Sequence, residues 1–280
     1  QCLFPDPWPI FSADHSYYIS LLRKVRALPG IKKVFIRSGI RFDYLLADKN
    51  LNFLDELCRF HVSGQLKIAP EHVAPPVLEK MGKPGKEVYT RFMRLFDKKN
   101  KEIGLPQFLV PYFISSHPGC TLNNAVELAE FLRDIKHHPQ QVQDFIPTPG
   151  SASTAMYYSG IDPETGKSVF VARNPHDKAM QRALMQYRNP SNRQLVLEAL
   201  QKANRMDLVG SGPKCLIYVD DKKQGKRFGN RPNNGKPTGG KATGNKPAGT
   251  KGSFGKAGNN KPFDKFDKKT SGKNTTRKHK

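Results

Sequence analysis

Glu71 and His72 place a carboxylate beside an imidazole at the end of a short apolar run, where Leu66, Ile68 and Ala69 surround Lys67 and Pro70 stops the pattern. Such groups hold ligands through hydrogen bonds and move protons. Two later runs end in a similar way. Residues 107–114 break into Ser115-Ser116-His117-Pro118-Gly119-Cys120, and residues 142–146 into Pro147-Thr148-Pro149-Gly150-Ser151. Polar and Gly/Pro-rich turns at the carboxyl ends of strands are where parallel α/β folds build their sites.

The elements that must position these ends alternate in kind. From Asp14, Tyr18, Leu21, Leu22, Val25 and Leu28 follow helical spacing up to Pro29-Gly30. Residues 31–36, with Val34, Phe35 and Ile36, predict a strand running into Arg37-Ser38-Gly39. Asp48 is placed to cap a helix with Leu51, Leu54, Leu57 and Cys58 on one face, and residues 65–72 form the next strand. Pro75-Pro76 suits a first helical turn, where the missing N–H is not needed. A longer helix from Lys86 buries Val88, Phe92, Leu95 and Phe96 and closes at Gly104. In the strand at 107–114, Pro111 cannot donate to a ladder and marks an edge or a distortion. Thr121 opens a helix with Ala125, Leu128, Ala129, Leu132 and Ile135 inward. Four strands with helices strictly between them must pair in parallel.

Beyond Ser151 the pattern changes. Residues 156–158 and 168–171 flank the turn-rich Asp162-Pro163-Glu164-Thr165-Gly166-Lys167 and predict a hairpin. Helices are expected over 177–187 and 191–206, the second opening with Ser191-Asn192-Arg193-Gln194 at capping-box spacing. Residues 215–219 close the apolar part.

From Lys222 onward there is no Leu, Ile, Val or Met, and 18 Lys and Arg face 2 Asp, a net +16 of the chain's +23. Such a segment cannot offset its ordering entropy by burial, so a disordered tail is expected over 222–280. Lysine recurs there at Lys236, Lys241, Lys246, Lys251, Lys256 and Lys261, a five-residue spacing that matches neither helix nor strand. Its charge suits phosphate backbones, and Phe254 with Phe228, Phe263 and Phe266 suits stacking on bases, which makes RNA a candidate partner; the plainer reading is a solubilising extension. Four cysteines, Cys2, Cys58, Cys120 and Cys215, lie far apart without metal spacing, and the eight histidines are scattered, so no metal site is expected and a reducing, cytoplasmic setting fits. No apolar run approaches the ~18 residues that span a bilayer, and no membrane partner is expected.

Assembled in order, Asp14-His15-Ser16, Leu28-Pro29-Gly30, residues 34–41, Lys67-Ile68-Ala69-Pro70-Glu71-His72, Ser115-Ser116-His117-Pro118-Gly119 and residues 144–151 resemble the later part of the YgiQ-like radical S-adenosylmethionine proteins. The resemblance runs from about Asp14 to Val219. It implies a fold of class α/β, a partial (βα) barrel whose last four parallel strands lie within residues 14–151. Residues 1–13 would be a loop remnant, 152–221 a small α+β carboxyl-terminal domain, and 222–280 the basic tail. It also implies S-adenosylmethionine and a [4Fe–4S] cluster as cofactors, the cluster held by a CxxxCxxC loop of thiolates. This chain has no CxxxCxxC and begins at Gln1 without Met, so an upstream segment or polypeptide is expected to supply the loop, and the chain alone is expected to take no cluster.

By the same resemblance, Glu71 and His72 would meet the ribose of the cofactor, Ser116, His117 and Gly119 its adenine, Ile146 and Pro147 an apolar and backbone edge of that ring, and Ser38, with Arg41, the methionine carboxylate or substrate. The plainer alternatives are that Glu71 caps the following helix, that Gly119 only permits a turn, that Ile146 packs in the core, and that Arg41 is an ion-paired surface group.

Overall fold

A computed structural model describes residues 8–219 together with Leu3. Cys2 and the basic run, with Lys236, Lys241, Lys246, Lys251, Lys256, Lys261 and Phe254, lie outside the described residues. The elements open with helices α1 (Ser16–Arg26), α2 (Phe42–Ala47) and α3 (Asn52–Glu56), the last continued by a π turn over Leu57–His61. Strand β1 (Gln65–Glu71) is followed by α4 (Pro75–Met81) and α5 (Lys86–Ile103), β2 (Phe108–Ser115) by α6 (Leu122–Asp134), and then β3 (Gln143–Asp144). The order is β1-β2-β3, parallel throughout, because each crossover carries a helix back over one face. The fold is therefore mixed α/β around a small parallel sheet.

Local signals explain most of these bounds. Pro75 and Pro76 occupy the first turn of α4, Gly104 ends α5 in the left-handed conformation, and Thr121 forms a capping box with Asn124 at α6. Pro111 sits in the central strand opposite Ile68, and the β1/β2 register breaks between Ile68 and Glu71, so the proline marks a distortion and not an edge. One face of the sheet, with Leu66, Ile68 and Phe113, is buried against Leu54, Phe92, Phe96 and Leu132. Complete burial of a side chain such as Phe92 is worth about 1.5–3 kcal/mol. The other face is open, with Lys67 exposed, Phe108 57% exposed and Tyr112 43% exposed.

Several expectations are corrected. No ladder forms over residues 31–36: the segment meets the sheet at one parallel bridge, Ile40 to Ile68, and Ile36 N–H donates to the His61 carbonyl. Val34 and Ile36 pack against the core, while Ile31 and Phe35 remain 43% exposed. In α1 the inward residues are Ile19 and Leu22, while Leu21, and Leu28 just beyond the helix, are exposed; Arg23 bonds through Nε and Nη2 to buried Glu56. Asp48 does not open the following helix, whose N-cap is Leu51; it is the C-cap of α2, and its carboxylate accepts from Asn50 N–H and from His15. The hairpin over 156–171 is replaced by α7 (Ala152–Ser159), capped by Ser151 and ended by left-handed Gly160, with one antiparallel bridge from Ile161 to Ser168. Hydrogen bonds from Asp162 N–H to the Lys167 carbonyl and from Gly166 N–H to the Asp162 carbonyl close the intervening turn.

Helices α8 (Pro175–Met185) and α9 (Arg193–Lys202) follow, and the capping box at Ser191 does not form because Asn189 already accepts from Ser191 N–H and holds 190–192 in a 3-10 turn. Strands β4 (Val209–Gly210) and β5 (Ile217–Tyr218) make a separate parallel pair. Met180, Leu184, Val196 and Leu200 of α8 and α9 pack with Val77, Cys120, Val126 and Ala129 in a second core.

Candidate functional site at the carboxyl edge of the sheet

Parallel strands end on one edge, and here those ends are Glu71, Ser115 and Asp144. Two non-glycine residues on this edge are left-handed, Glu71 (φ 65) and Ser116 (φ 60). Each such conformation costs roughly 1–2 kcal/mol, so neighbouring bonds must hold it. For Ser116 the holder is Gln181 of α8, buried to 2% exposure. Its Oε1 accepts from Ser116 N–H at 3.1 Å and its Nε2 donates to the Cys120 carbonyl at 2.9 Å, clamping both ends of the loop. Gly119 (φ 87) donates its N–H to the Phe170 carbonyl at 2.7 Å, and a Cβ there would lie 3.2 Å from Lys80 Cγ. The left-handed backbone favours glycine there, and a side chain would also press on Lys80. The Ser116 hydroxyl is buried with no hydrogen-bond partner among the described residues.

The histidines of the edge are locked. His72 is 1% exposed, its Nδ1 accepts from Ala74 N–H at 3.0 Å, and its Nε2, which therefore carries the proton, lies 3.5 Å from Cys120 Sγ. Burial, with His117 nearby, pushes its pKa down to about 3. His117 is 3% exposed, its Nδ1 donates to the Pro118 carbonyl at 2.7 Å, and its Nε2 accepts from Ser153 Oγ at 2.8 Å. Burial brings it down to about 4 against the opposing pull of that carbonyl. Both rings are neutral near neutrality and fully engaged within the protein.

Glu71 is a half-buried carboxylate of the edge, exposed to about the same extent as Asp144. It does not cap α4, whose N-cap is Ala74; its Oε1 pairs with Lys83 Nζ at 3.0 Å, and Lys83 also donates to the Ala69 carbonyl at 3.1 Å. Ser115 Oγ donates to Asp144 Oδ1 at 2.5 Å, and Asp144 is ion-paired with Arg182. Tyr112 Oη donates to Gln143 Oε1 at 2.7 Å. Ile146 is 61% exposed and Pro147 half-buried, so Ile146 offers an apolar surface and no core packing. Ser38 stands apart, exposed on the bridged segment and lining a separate cavity with His15, Tyr18 and Phe53. The edge thus carries Glu71, Ser116, His117, Gly119 and Ile146 at or just after its strand ends, with a half-buried, ion-paired carboxylate at Glu71 and exposed apolar surface at Ile146.

Lys83, Gln181, Ser153 and Arg182 complete the site without having been singled out in the sequence. Only Lys83 lies near its partner in the chain; Gln181 reaches a loop 65 residues away, a distance at which spacing carries no signal. Cys58 and Cys120 are fully buried with thiols pushed up to about 12 by burial, Cys215 is half-buried, and among the described residues no group of three His, Cys, Asp or Glu could hold a metal ion. Among the described residues no helix is long and apolar enough to cross a membrane.

Fold and site together define a parallel-sheet α/β protein with a strained, polar carboxyl edge. The family described as "Domain of unknown function (DUF3362)" matches residues 140–280. A UPF0313 protein of Clostridium perfringens strain 13 is 54% identical over 239 residues, 85% of this chain and 36% of the relative. Another, of Clostridium botulinum strain 657, is 54% identical over 217 residues, 78% of this chain and 34% of the relative. The chain belongs to the UPF0313 family, and it spans about a third of the length of these relatives.

Proposed function

We propose that this chain forms the later part of a radical S-adenosylmethionine enzyme, its carboxyl edge meeting the adenosyl half of the cofactor. The observation that supports this reading is the left-handed backbone at Glu71 and Ser116 on neighbouring strand ends, held in place by Lys83 and Gln181. Strain of this kind persists where a site over-determines it. Glu71 would accept from the ribose hydroxyls, Ile146 and Pro147 would border the adenine, and the unpartnered Ser116 hydroxyl fits a polar contact on that ring. His72 and His117, both buried and bonded, act by shaping the loops and not by touching the ligand.

The described residues do not fit the [4Fe–4S] cluster, since their thiols are buried or isolated. The cluster is assigned to a CxxxCxxC loop outside this chain, in the remaining length of the family's polypeptide or in a separate one. The bridged segment and three strands would be the last four of a partial barrel, and the open face bearing Lys67, Phe108 and Tyr112 is what further strands would cover. Residues after about 152 would form the small carboxyl-terminal domain. Thiols that stay unpaired suit a reducing cytoplasm.

Anaerobic reconstitution with iron and sulfide, run in parallel on this chain and on the Clostridium perfringens relative, tests the reading. The relative is expected to gain a [4Fe–4S] absorbance and to bind S-adenosylmethionine, and this chain to gain no cluster. A relative that takes no cluster overturns the reading; a stoichiometric cluster on this chain overturns the assignment of the loop to residues outside it.

A second reading rests on the +16 charge of residues 222–280: association with RNA through the tail, with the salt sensitivity of phosphate contacts.

A further inference from the structure

His15 belongs to a motif that the carboxyl-edge site leaves unused. It precedes α1, and Asp48 follows α2. His15 Nδ1 lies 2.7 Å from Asp48 Oδ2, which also accepts the His15 backbone N–H at 3.1 Å. The two side chains are 17% and 9% exposed. Although burial pulls the Asp48 carboxyl upward, hydrogen bonds from Asn50 N–H and from His15 hold it below its ordinary value. Asp48 is therefore an acceptor, and Nδ1 of His15 carries the proton. In the neutral ring this tautomer leaves Nε2 as a hydrogen-bond acceptor. The ring cannot turn away, because it stacks on Phe53 with centroids 4.7 Å apart and planes within 2°.

His15 lines a cavity of about 300 Å³ whose other walls include Tyr18, Ile36, Ile40, Tyr44 and Phe53, with Ser38 and Gly39 at the bridged segment. Arg41 on its rim is bonded to Asp43 through Nε and Nη2 at 2.9 and 2.5 Å and lies over the Tyr44 ring, so its charge is already matched. The cavity is small for a ligand pocket and mostly apolar and aromatic, with one oriented imidazole. Among the described residues no hydrogen bond occupies Nε2 of that imidazole, and the side of the ring turned away from Asp48 carries it.

We propose that this cavity binds a small aromatic ligand carrying a hydrogen-bond donor, a phenolic hydroxyl or a ring N–H, which donates to Nε2 of His15. The aromatic walls supply area for one ring, and the Asp48–His15 pair selects ligands that can donate. The cavity shares Ser38 and Arg41 with the residues that the radical S-adenosylmethionine resemblance sets against the methionine carboxylate or substrate, but the inference rests on the His15–Asp48 pair and the aromatic walls, which that reading does not use.

The test is titration of the full chain with phenol and with toluene, followed by calorimetry and by the ring nitrogen resonances of His15. Toluene matches phenol in shape but cannot donate, so phenol is expected to bind about tenfold more tightly and to shift the Nε2 resonance. In His15→Phe, which keeps a ring against Phe53, the preference for phenol is expected to vanish while toluene still binds. Equal affinities in the parent chain, no binding of either probe, or an unmoved Nε2 resonance overturns the proposal. The comparison of the two probes in the parent chain stands whether or not the variant folds.

Discussion

Replacing Gln181 by leucine isolates the clamp on the strained loop. The substitution keeps the volume and removes the amide, so Ser116 N–H and the Cys120 carbonyl lose their partners at 3.1 and 2.9 Å in a place that water does not reach. Each unsatisfied buried group costs about 1–3 kcal/mol. Relaxation of the left-handed Ser116, worth roughly 1–2 kcal/mol, returns part of that. The net expectation is a loss of about 2–4 kcal/mol, a large share of the ~5–15 kcal/mol that holds a domain folded. In equilibrium urea unfolding this moves the midpoint down by about 1–2 M with an unchanged slope, for a slope of ~2 kcal/mol/M. Gln181→Glu sharpens the test. A carboxylate still accepts from Ser116 N–H but faces the Cys120 carbonyl with a second acceptor, whereas the protonated acid can donate to it. The folded-state pKa of the introduced acid is then raised, so its stabilising contribution is complete below the unfolded value and lost as pH rises through the folded one. A Gln181→Leu variant within 0.5 kcal/mol of the parent, on the scale of ordinary surface substitutions, refutes the reasoning.

Other outcomes follow from the same geometry. Gly119→Ala is expected to lose about 1–2 kcal/mol in urea unfolding, because the residue is left-handed and its new Cβ would meet Lys80 at 3.2 Å; an unchanged midpoint would show that the loop shifts freely. His72 and His117 have folded pKa values near 3 and 4, below the unfolded value near 6.5, so the unfolded chain binds more protons between these limits. Stability is expected to fall as pH drops below about 6.5, by up to ~1.4 kcal/mol per pH unit for each histidine, and a flat profile between pH 6.5 and 5 would contradict their burial as neutral rings. Removing residues 222–280 is expected to abolish salt-dependent RNA retention in a filter assay; affinity and salt slope that survive the deletion exclude the tail as the binding element.

Much of the scaffold was legible in the sequence. The strands at 65–71 and 108–115, the proline start of α4, the glycine stop of α5 and the threonine cap of α6 each rest on chemistry within a few residues. So does the grouping of Glu71, Ser116 and Gly119 at strand ends, because a parallel sheet puts its carboxyl ends on one edge. Where local chemistry was balanced, reading failed. Residues 31–36 turn Val34 and Ile36 onto the core without forming a ladder, and residues 156–158 were helical once Ser151 capped them.

The state of each side chain at the edge was decided by tertiary structure alone. His72 and His117 look equally suited to a ligand in sequence, yet burial and bonds to Ala74, Pro118 and Ser153 keep them neutral and occupied. Glu71 is half-buried beside Lys83. The clamp from Gln181 to Ser116 and the pairing of His15 with Asp48 join residues 65 and 33 positions apart. No periodicity reaches that far; only the packing of α8 on the sheet, and of α1 beside the turn after α2, brings those polar atoms within bonding distance.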